Sequence, residues 1–297
     1  MSTVDIFDER ICRLGEGPTY DAARNRVVWV DILNSRVLWR SLADGSSGEC
    51  ATPSHVSAAV PRTDGRFSVP LVDEIATLDL DTCEITPDMA WHDKHVNAGV
   101  PIRGNDAKAD PLGRLLVGAM PYDPGTHREL TALYLRGGES MSVLIDGVTL
   151  SNGLGWSPDN TTMYYVDTMT KRIDAFDFSA TGELSNRRAF TEVPQSQGSP
   201  DGLCVDAEGA VWLALWGGSG VQRILPDGTW AERIDVPALH TTSCAFVGPD
   251  LDLLVITSAT DELEPHQLEG AGITYCTRPG VRGLPTNLVG ANYGGQR

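Results

Sequence analysis

Positive charge is scarce in this sequence. Its 23 Lys and Arg stand against 40 Asp and Glu, a formal net charge of −17, whereas nucleic acid and anionic membrane surfaces are gripped by basic patches. Neither is expected as a partner; a small neutral or cationic ligand, or a cation, suits the chain better. The acid load also keeps an ordinary soluble protein dispersed, so it narrows the ligand without naming one. No apolar run approaches the roughly 20 residues that span a bilayer, and Met1-Ser2-Thr3-Val4-Asp5-Ile6 lacks the charged-then-apolar pattern of an export signal. The expected location is the cytoplasm.

Other absences remove whole classes of chemistry. Cys12, Cys50, Cys83, Cys204, Cys244 and Cys276 are scattered, with no C-x-x-C pair or His/Cys cluster. Neither a disulfide framework nor a thiolate zinc site is expected, and most are read as small buried residues. His55, His92, His95, His127, His240 and His266 show no ligand spacing; His127 and His240 are the two worth testing. P-loop, dinucleotide fingerprint, H-E-x-x-H and EF-hand spacings are missing, and Gly217-Gly218-Ser219-Gly220 is not the nucleophile elbow of an α/β hydrolase. With 31 Gly and 18 Pro, helix is disfavoured too.

What the chain does have is repetition. Val27–Trp29, Arg66–Val69, Arg114–Val117, Met163–Val166, Val211–Leu213 and Leu253–Ile256 are strand-like runs spaced by roughly 40 to 48 residues. Each follows turn chemistry such as Thr63-Asp64-Gly65, Asp110-Pro111-Leu112-Gly113 or Ser157-Pro158-Asp159-Asn160, and each is followed by a further strand. Short antiparallel strands, four to a unit and repeated radially, predict an all-β, six-bladed β-propeller spanning residues 1–297 as one domain. No linker or composition shift divides it. Trp29, Trp156 and Trp212 fall in the strand patterns and are expected in the core. The polar stretch Met120–Glu129 reads either as a flap over the central opening or as a solvated hairpin loop.

In a propeller the innermost strands converge on the axis, so residues at their entrances meet although far apart in sequence. Glu16, Asn152 and Asp201 hold that place in three units, and Arg103-Gly104-Asn105-Asp106 in a fourth. Two carboxylates and one or two amide oxygens make a hard-oxygen site for a divalent cation. Singly, Asn152-Gly153 and Asp201-Gly202 are also turn dipeptides, and Asp106 reads as an Asx-turn or strand cap. Glu16 between two glycines serves no turn. Repeated placement at equivalent strand entrances is what sets these residues apart from isolated turn motifs.

Taken together, Leu14-Gly15-Glu16-Gly17-Pro18, Arg103-Gly104-Asn105-Asp106-Ala107-Lys108, Ser151-Asn152-Gly153-Leu154, Trp156-Ser157-Pro158-Asp159, Pro200-Asp201-Gly202 and Thr241-Thr242-Ser243-Cys244 resemble the regucalcin (senescence marker protein), gluconolactonase and luciferin-regenerating enzyme family. The resemblance covers almost the whole chain. It implies one catalytic divalent cation, Ca²⁺ or Zn²⁺ first and Mg²⁺, Mn²⁺ or Fe²⁺ otherwise, held by Glu16, Asn152 and Asp201. It implies substrate contacts from Arg103, Asn105 and Asp123, the last where the family usually has Glu, and Asn105 is placed to reach the cation as well. The activity implied is hydrolysis of a sugar lactone or similar small lactone, with Asp201 as general base. Rival readings are phosphotriester or fluorophosphate hydrolysis on the same platform and a non-catalytic calcium-binding or interaction propeller.

Overall fold

The computed structural model describes residues 4–91, 99–138 and 140–290; His92 and His95 lie outside them. The described chain opens with β1 (Asp5–Asp8), which waits for a partner from the far end. The first complete sheet is β2 (Gly15–Asp21), β3 (Arg26–Asp31), β4 (Arg36–Ser41) and β5 (Ser47–Ala51). The second is β6 (Val60–Pro61), β7 (Phe67–Pro70), β8 (Glu74–Asp79) and β9 (Glu84–Ala90). The third and fourth are β10 (Ile102–Ala109), β11 (Leu115–Pro121), β12 (Thr131–Gly137), β13 (Ser140–Val148), then β14 (Ser151–Trp156), β15 (Thr162–Asp167), β16 (Arg172–Phe178), β17 (Leu184–Glu192). The fifth is β18 (Ser199–Val205), β19 (Val211–Trp216), β20 (Gly220–Ile224), β21 (Trp230–Asp235), and the sixth β22 (His240–Val247), β23 (Leu253–Ala259), β24 (Thr274–Thr277) with β1. All six are four-stranded and antiparallel, a six-bladed propeller as expected.

The turns explain why the strands stop where they do. In the hairpins before β7, β11 and β19, Asp64, Asp110 and Asp206 each accept a backbone N–H two residues on, at 2.9–3.1 Å. The glycine that follows, Gly65, Gly113 or Gly209, takes a left-handed φ of 79–84°, which a side chain would resist. The second strand of each sheet is then pressed between neighbouring blades. Every residue of β3 is buried, and Val27, Val28, Trp29 and Val30 have no exposed surface. Each such side chain is worth about 1.5–3 kcal/mol of apolar transfer. Trp156 and Trp212 are buried with Trp29.

Closure is the part that a unit-by-unit reading does not anticipate. β1 pairs with β24 (Asp5 opposite Cys276), so this early strand becomes the outer strand of the last blade and ties the two ends of the ring together. At the opposite end of the axis from the site described below, residues 282–290 cross several blades. Ala207 N–H donates to Arg282 O, Val289 N–H to Pro61 O and Gly290 N–H to Gly113 O. A disulfide, which the cysteine spacing did not suggest, joins Cys50 of β5 to Cys83 of the β8–β9 turn; the two lie on adjacent blades, a proximity that only the radial stacking creates. No helix among the described residues is long and apolar enough to cross a membrane.

Candidate functional site

The six first strands β2, β6, β10, β14, β18 and β22 touch one another in a ring around the axis. In five of them the ladder to the second strand slips by a bulge at the same place: after Glu16, Gly104, Ser151, Pro200 and Thr241. A bulge re-aims the side chains beside it, and Glu16, Asn105, Asn152 and Asp201 all sit at these breaks. Asn152-Gly153 and Asp201-Gly202 are therefore strand positions, not turns. Their glycines answer a different demand, because inner strands of adjacent blades pass very close: a Cβ on Gly153 would stand 2.7 Å from Asp201 O and Leu203 N, and one on Gly202 would stand 2.2 Å from Ser243 Oγ.

Glu16, Asn152 and Asp201 are 3–5% exposed and act on one another. Burial, and then the charge of Asp106, raise the Glu16 pKa from 4.5 to about 8. Burial, and then the charges of Glu16 and Asp106, push Asp201 well above the usual carboxylate range, while the Asn152 side chain opposes the shift. Asn152 Nδ2 donates to Thr168 Oγ1 at 3.0 Å, and Thr168 Oγ1 donates to Pro200 O at 2.9 Å. That relay turns the amide so that Oδ1 is sealed from solvent with no hydrogen-bond partner. A buried orphan acceptor is costly, and two repelling carboxylates beside it are costlier still. Among the described residues no three His, Cys, Asp or Glu side chains form a cluster able to hold a metal; the third donor here is an amide. Two carboxylates and an orphan amide oxygen, all hard donors, fit a divalent cation.

Arg103 is buried beside this centre. Its Nη1 donates to Gly104 O and Asn105 Oδ1, both at 2.8 Å, and its guanidinium lies 5.9 Å from the Tyr122 ring centroid. Burial lowers its pKa, with Tyr122, Glu16, Asp261 and Asp201 pulling the other way. Asn105 is held at both ends, since its Nδ2 donates to Ser151 O at 2.9 Å. Tyr122 opens the Met120–Glu129 stretch, and its hydroxyl is 2.8 Å from His55 Nδ1, so the base of that loop leans on the site while its tip is exposed. Asp123 is on the tip. Hydrogen bonds from the Thr126 side chain and then from its backbone N–H, the latter to Oδ1 at 3.2 Å, hold the Asp123 pKa below the usual value. His127 follows in the same exposed turn.

Three features escaped sequence reading. Asp106 is neither an Asx-turn nor a cap: it stands mid-strand in β10, 4% exposed, with Oδ2 sealed and unpartnered. Gly17, Gly153 and Gly202 follow the other bulge residues, and a charged residue in that position was the available signal. Lys108, two residues on, donates to Leu154 O and Leu203 O at 2.8 and 2.6 Å, tying β10 to β14 and β18. Asp106 and Lys108 also line a cavity of about 350 Å³ that continues along the axis to residues 284–287. Finally, His240 stacks on Trp216, 24 residues earlier in the chain, with ring centroids 3.9 Å apart.

Comparison with known proteins identifies the family and agrees with the fold. Residues 14–260 match the family model described as the SMP-30/Gluconolactonase/LRE-like region. Regucalcin of Gallus gallus is 33% identical over 284 residues, covering 92% of this chain and 93% of the relative, and regucalcin of Danio rerio is 35% identical over 280 residues with 92% and 93% covered. The structure of a calcium-binding protein, regucalcin, from Agrobacterium tumefaciens superimposes with a TM-score of 0.90 at 29% identity, covering 97% of each chain. That of a luciferin-regenerating enzyme gives 0.88 at 29% identity, covering 98% of this chain and 100% of the other.

Proposed function

Since the chain belongs to the SMP-30/gluconolactonase/LRE-like family, we propose that it is a lactonase which opens a sugar lactone or similar small lactone, with Glu16, Asn152 and Asp201 holding one divalent cation. The observation that carries the reading is the sealed, unpartnered Asn152 Oδ1 on a residue that shares its surroundings with two carboxylates, Glu16 raised by burial and the charge of Asp106, and Asp201 raised by burial and the charges of Glu16 and Asp106. Calcium is the first candidate, because a regucalcin 29% identical to this chain is a calcium-binding protein; all-oxygen ligation also admits Zn²⁺, Mg²⁺, Mn²⁺ and Fe²⁺. When bound, such a cation supplies Lewis-acid polarisation of a carbonyl and acidifies water.

The chain's own residues do the rest. Asp201 takes the proton of the attacking water on a carboxylate oxygen, a contribution of about 10²–10⁴ in rate. Arg103 spends one nitrogen on Gly104 O and Asn105 Oδ1 and keeps its other N–H groups for substrate oxygens and the developing oxyanion. Asn105 positions Arg103 and borders the substrate. Asp123 is assigned the remaining substrate contact, made when the loop tip turns inward. A non-catalytic calcium-binding propeller has no use for a buried arginine braced by Asn105 and Tyr122 beside the carboxylates.

The test is hydrolysis of a panel of aldonolactones by chelated protein, before and after return of Ca²⁺ or Zn²⁺. Metal-restored turnover that is absent from Asp201→Ala supports the reading. Lactone hydrolysis at the uncatalysed rate under every metal refutes it.

A further inference from the structure

The bulges give the inner strands a common register. Counting back from the last ladder pair before the break, Arg103 (opposite Met120), Ser199 (opposite Trp216) and His240 (opposite Ala259) hold the same position. Each stands two residues before the layer that contains Asn105, Asp201 and Thr242. The inner strands follow one another around the axis in chain order, so the third blade, with Arg103, faces the sixth, with His240. These two residues stand on opposite blades, one layer before Asp201, and both feel the charge of Asp261. The third member, Ser199, already accepts a hydrogen bond from Lys171 Nζ.

His240 is prepared for a ligand in a way its neighbours are not. Its ring lies nearly parallel to Trp216, with 10° between the planes, and it is 8% exposed. Its Nδ1 is sealed with no partner. A proton on Nδ1 would be a buried N–H with nothing to accept it, so the neutral ring keeps its proton on Nε2, the nitrogen left to meet a ligand. Burial also pushes the pKa down to about 4, and the ring stays neutral near pH 7. Register thus sets a neutral donor and a cation on opposite blades: one suits a hydroxyl or ring oxygen, the other a carboxylate or carbonyl oxygen.

We propose that His240 is a substrate-binding residue, donating from Nε2 to an oxygen of a polyhydroxylated lactone or sugar acid whose opposite edge is held by Arg103, with Trp216 as the positioning residue that fixes the imidazole. The ligand class rests on the lactonase reading above; the site itself rests on register, stacking and the orphan nitrogen. The two halves of the opening then discriminate among lactones by the spacing of their oxygens.

The experiment is steady-state hydrolysis of glucono-δ-lactone by calcium-loaded protein, wild type against His240→Phe, which keeps a flat ring over Trp216 and removes the donor, and His240→Ala, which removes it without bulk. The loss of one such bond raises KM about tenfold, with kcat and calcium affinity changed by less than threefold. Wild-type KM in whichever of these variants folds overturns the proposal and leaves the lactonase reading intact. If the wild type hydrolyses no lactone, the lactonase reading falls instead, and His240 is decided by titrating gluconate against tryptophan fluorescence. Binding weakened about tenfold in the variants supports it; equal binding, or none to the wild type, overturns it.

Discussion

Thr168 decides which way the Asn152 amide faces. Its Oγ1 receives Nδ2 at 3.0 Å and passes its own proton to Pro200 O, and Oδ1 is left buried without a hydrogen-bond partner. Thr168→Val keeps the shape and removes both bonds. The amide is then free to flip, and cation affinity should fall 10–100-fold, the usual effect of losing a partner that orients a ligand. Calcium titration calorimetry reads this directly. An unchanged affinity would show that Asn152 is not a ligand or needs no steering.

Asp201 is asked to be both ligand and base. Asp201→Asn preserves size and an oxygen donor but cannot take a proton near neutrality, so turnover should fall by about 10²–10⁴ even at saturating cation, with weaker cation binding besides. Retention of more than a tenth of wild-type kcat under metal saturation would move the base elsewhere.

The raised carboxylates give the metal-free protein a distinctive pH dependence. Glu16 titrates near 8 in the fold against 4.5 ordinarily, so between those values the folded chain holds a proton that the unfolded chain has lost. Stability from this group is fully present below about pH 4.5 and drains away as pH rises towards 8; Asp201 adds to it in the same direction. Bound cation replaces the protons, and the loss should vanish. Chemical denaturation of chelated and calcium-loaded protein from pH 5 to 8.5 tests this, as does proton release on calcium binding at pH 7, measured in buffers of different ionisation enthalpy. Absence of proton release would mean that the carboxylates are already ionised in the metal-free fold.

Most of the architecture was legible because the propeller advertises itself locally. Asp-containing turns and largely apolar second strands recur at a steady interval, and the three strand-entrance oxygens stand out once aligned. What stayed hidden depends on meetings between distant strands. β1 carries only the short run Asp5–Asp8, half of it exposed, with nothing to say that it closes a ring. Asp106 follows an Asn and mimics a turn; its burial comes from a bulge visible only in the ladder register. The stacking of His240 on Trp216 and the Cys50–Cys83 bond each cross from one blade to the next, and sequence spacing holds no trace of blade contacts. Sequence also suggested turns at Gly153 and Gly202, because a glycine needed for close packing looks the same as one needed for a bend.

That last distinction is measurable. Gly65 has a φ of +82° and only side-chain atoms at ordinary distance around a hypothetical Cβ, whereas Gly153 has no positive φ but meets Asp201 O and Leu203 N at 2.7 Å. Gly65→Ala should cost about 1–2 kcal/mol of backbone strain and leave the axis untouched. Gly153→Ala should cost about 1–3 kcal/mol through overpacking. It must also wedge β14 away from β18, separating Asn152 from Asp201 and weakening cation binding at least tenfold. Urea denaturation and calcium titration of the two variants side by side separate the cases. If Gly153→Ala binds calcium as the wild type does, the close approach of these strands is not what sets the geometry of the site.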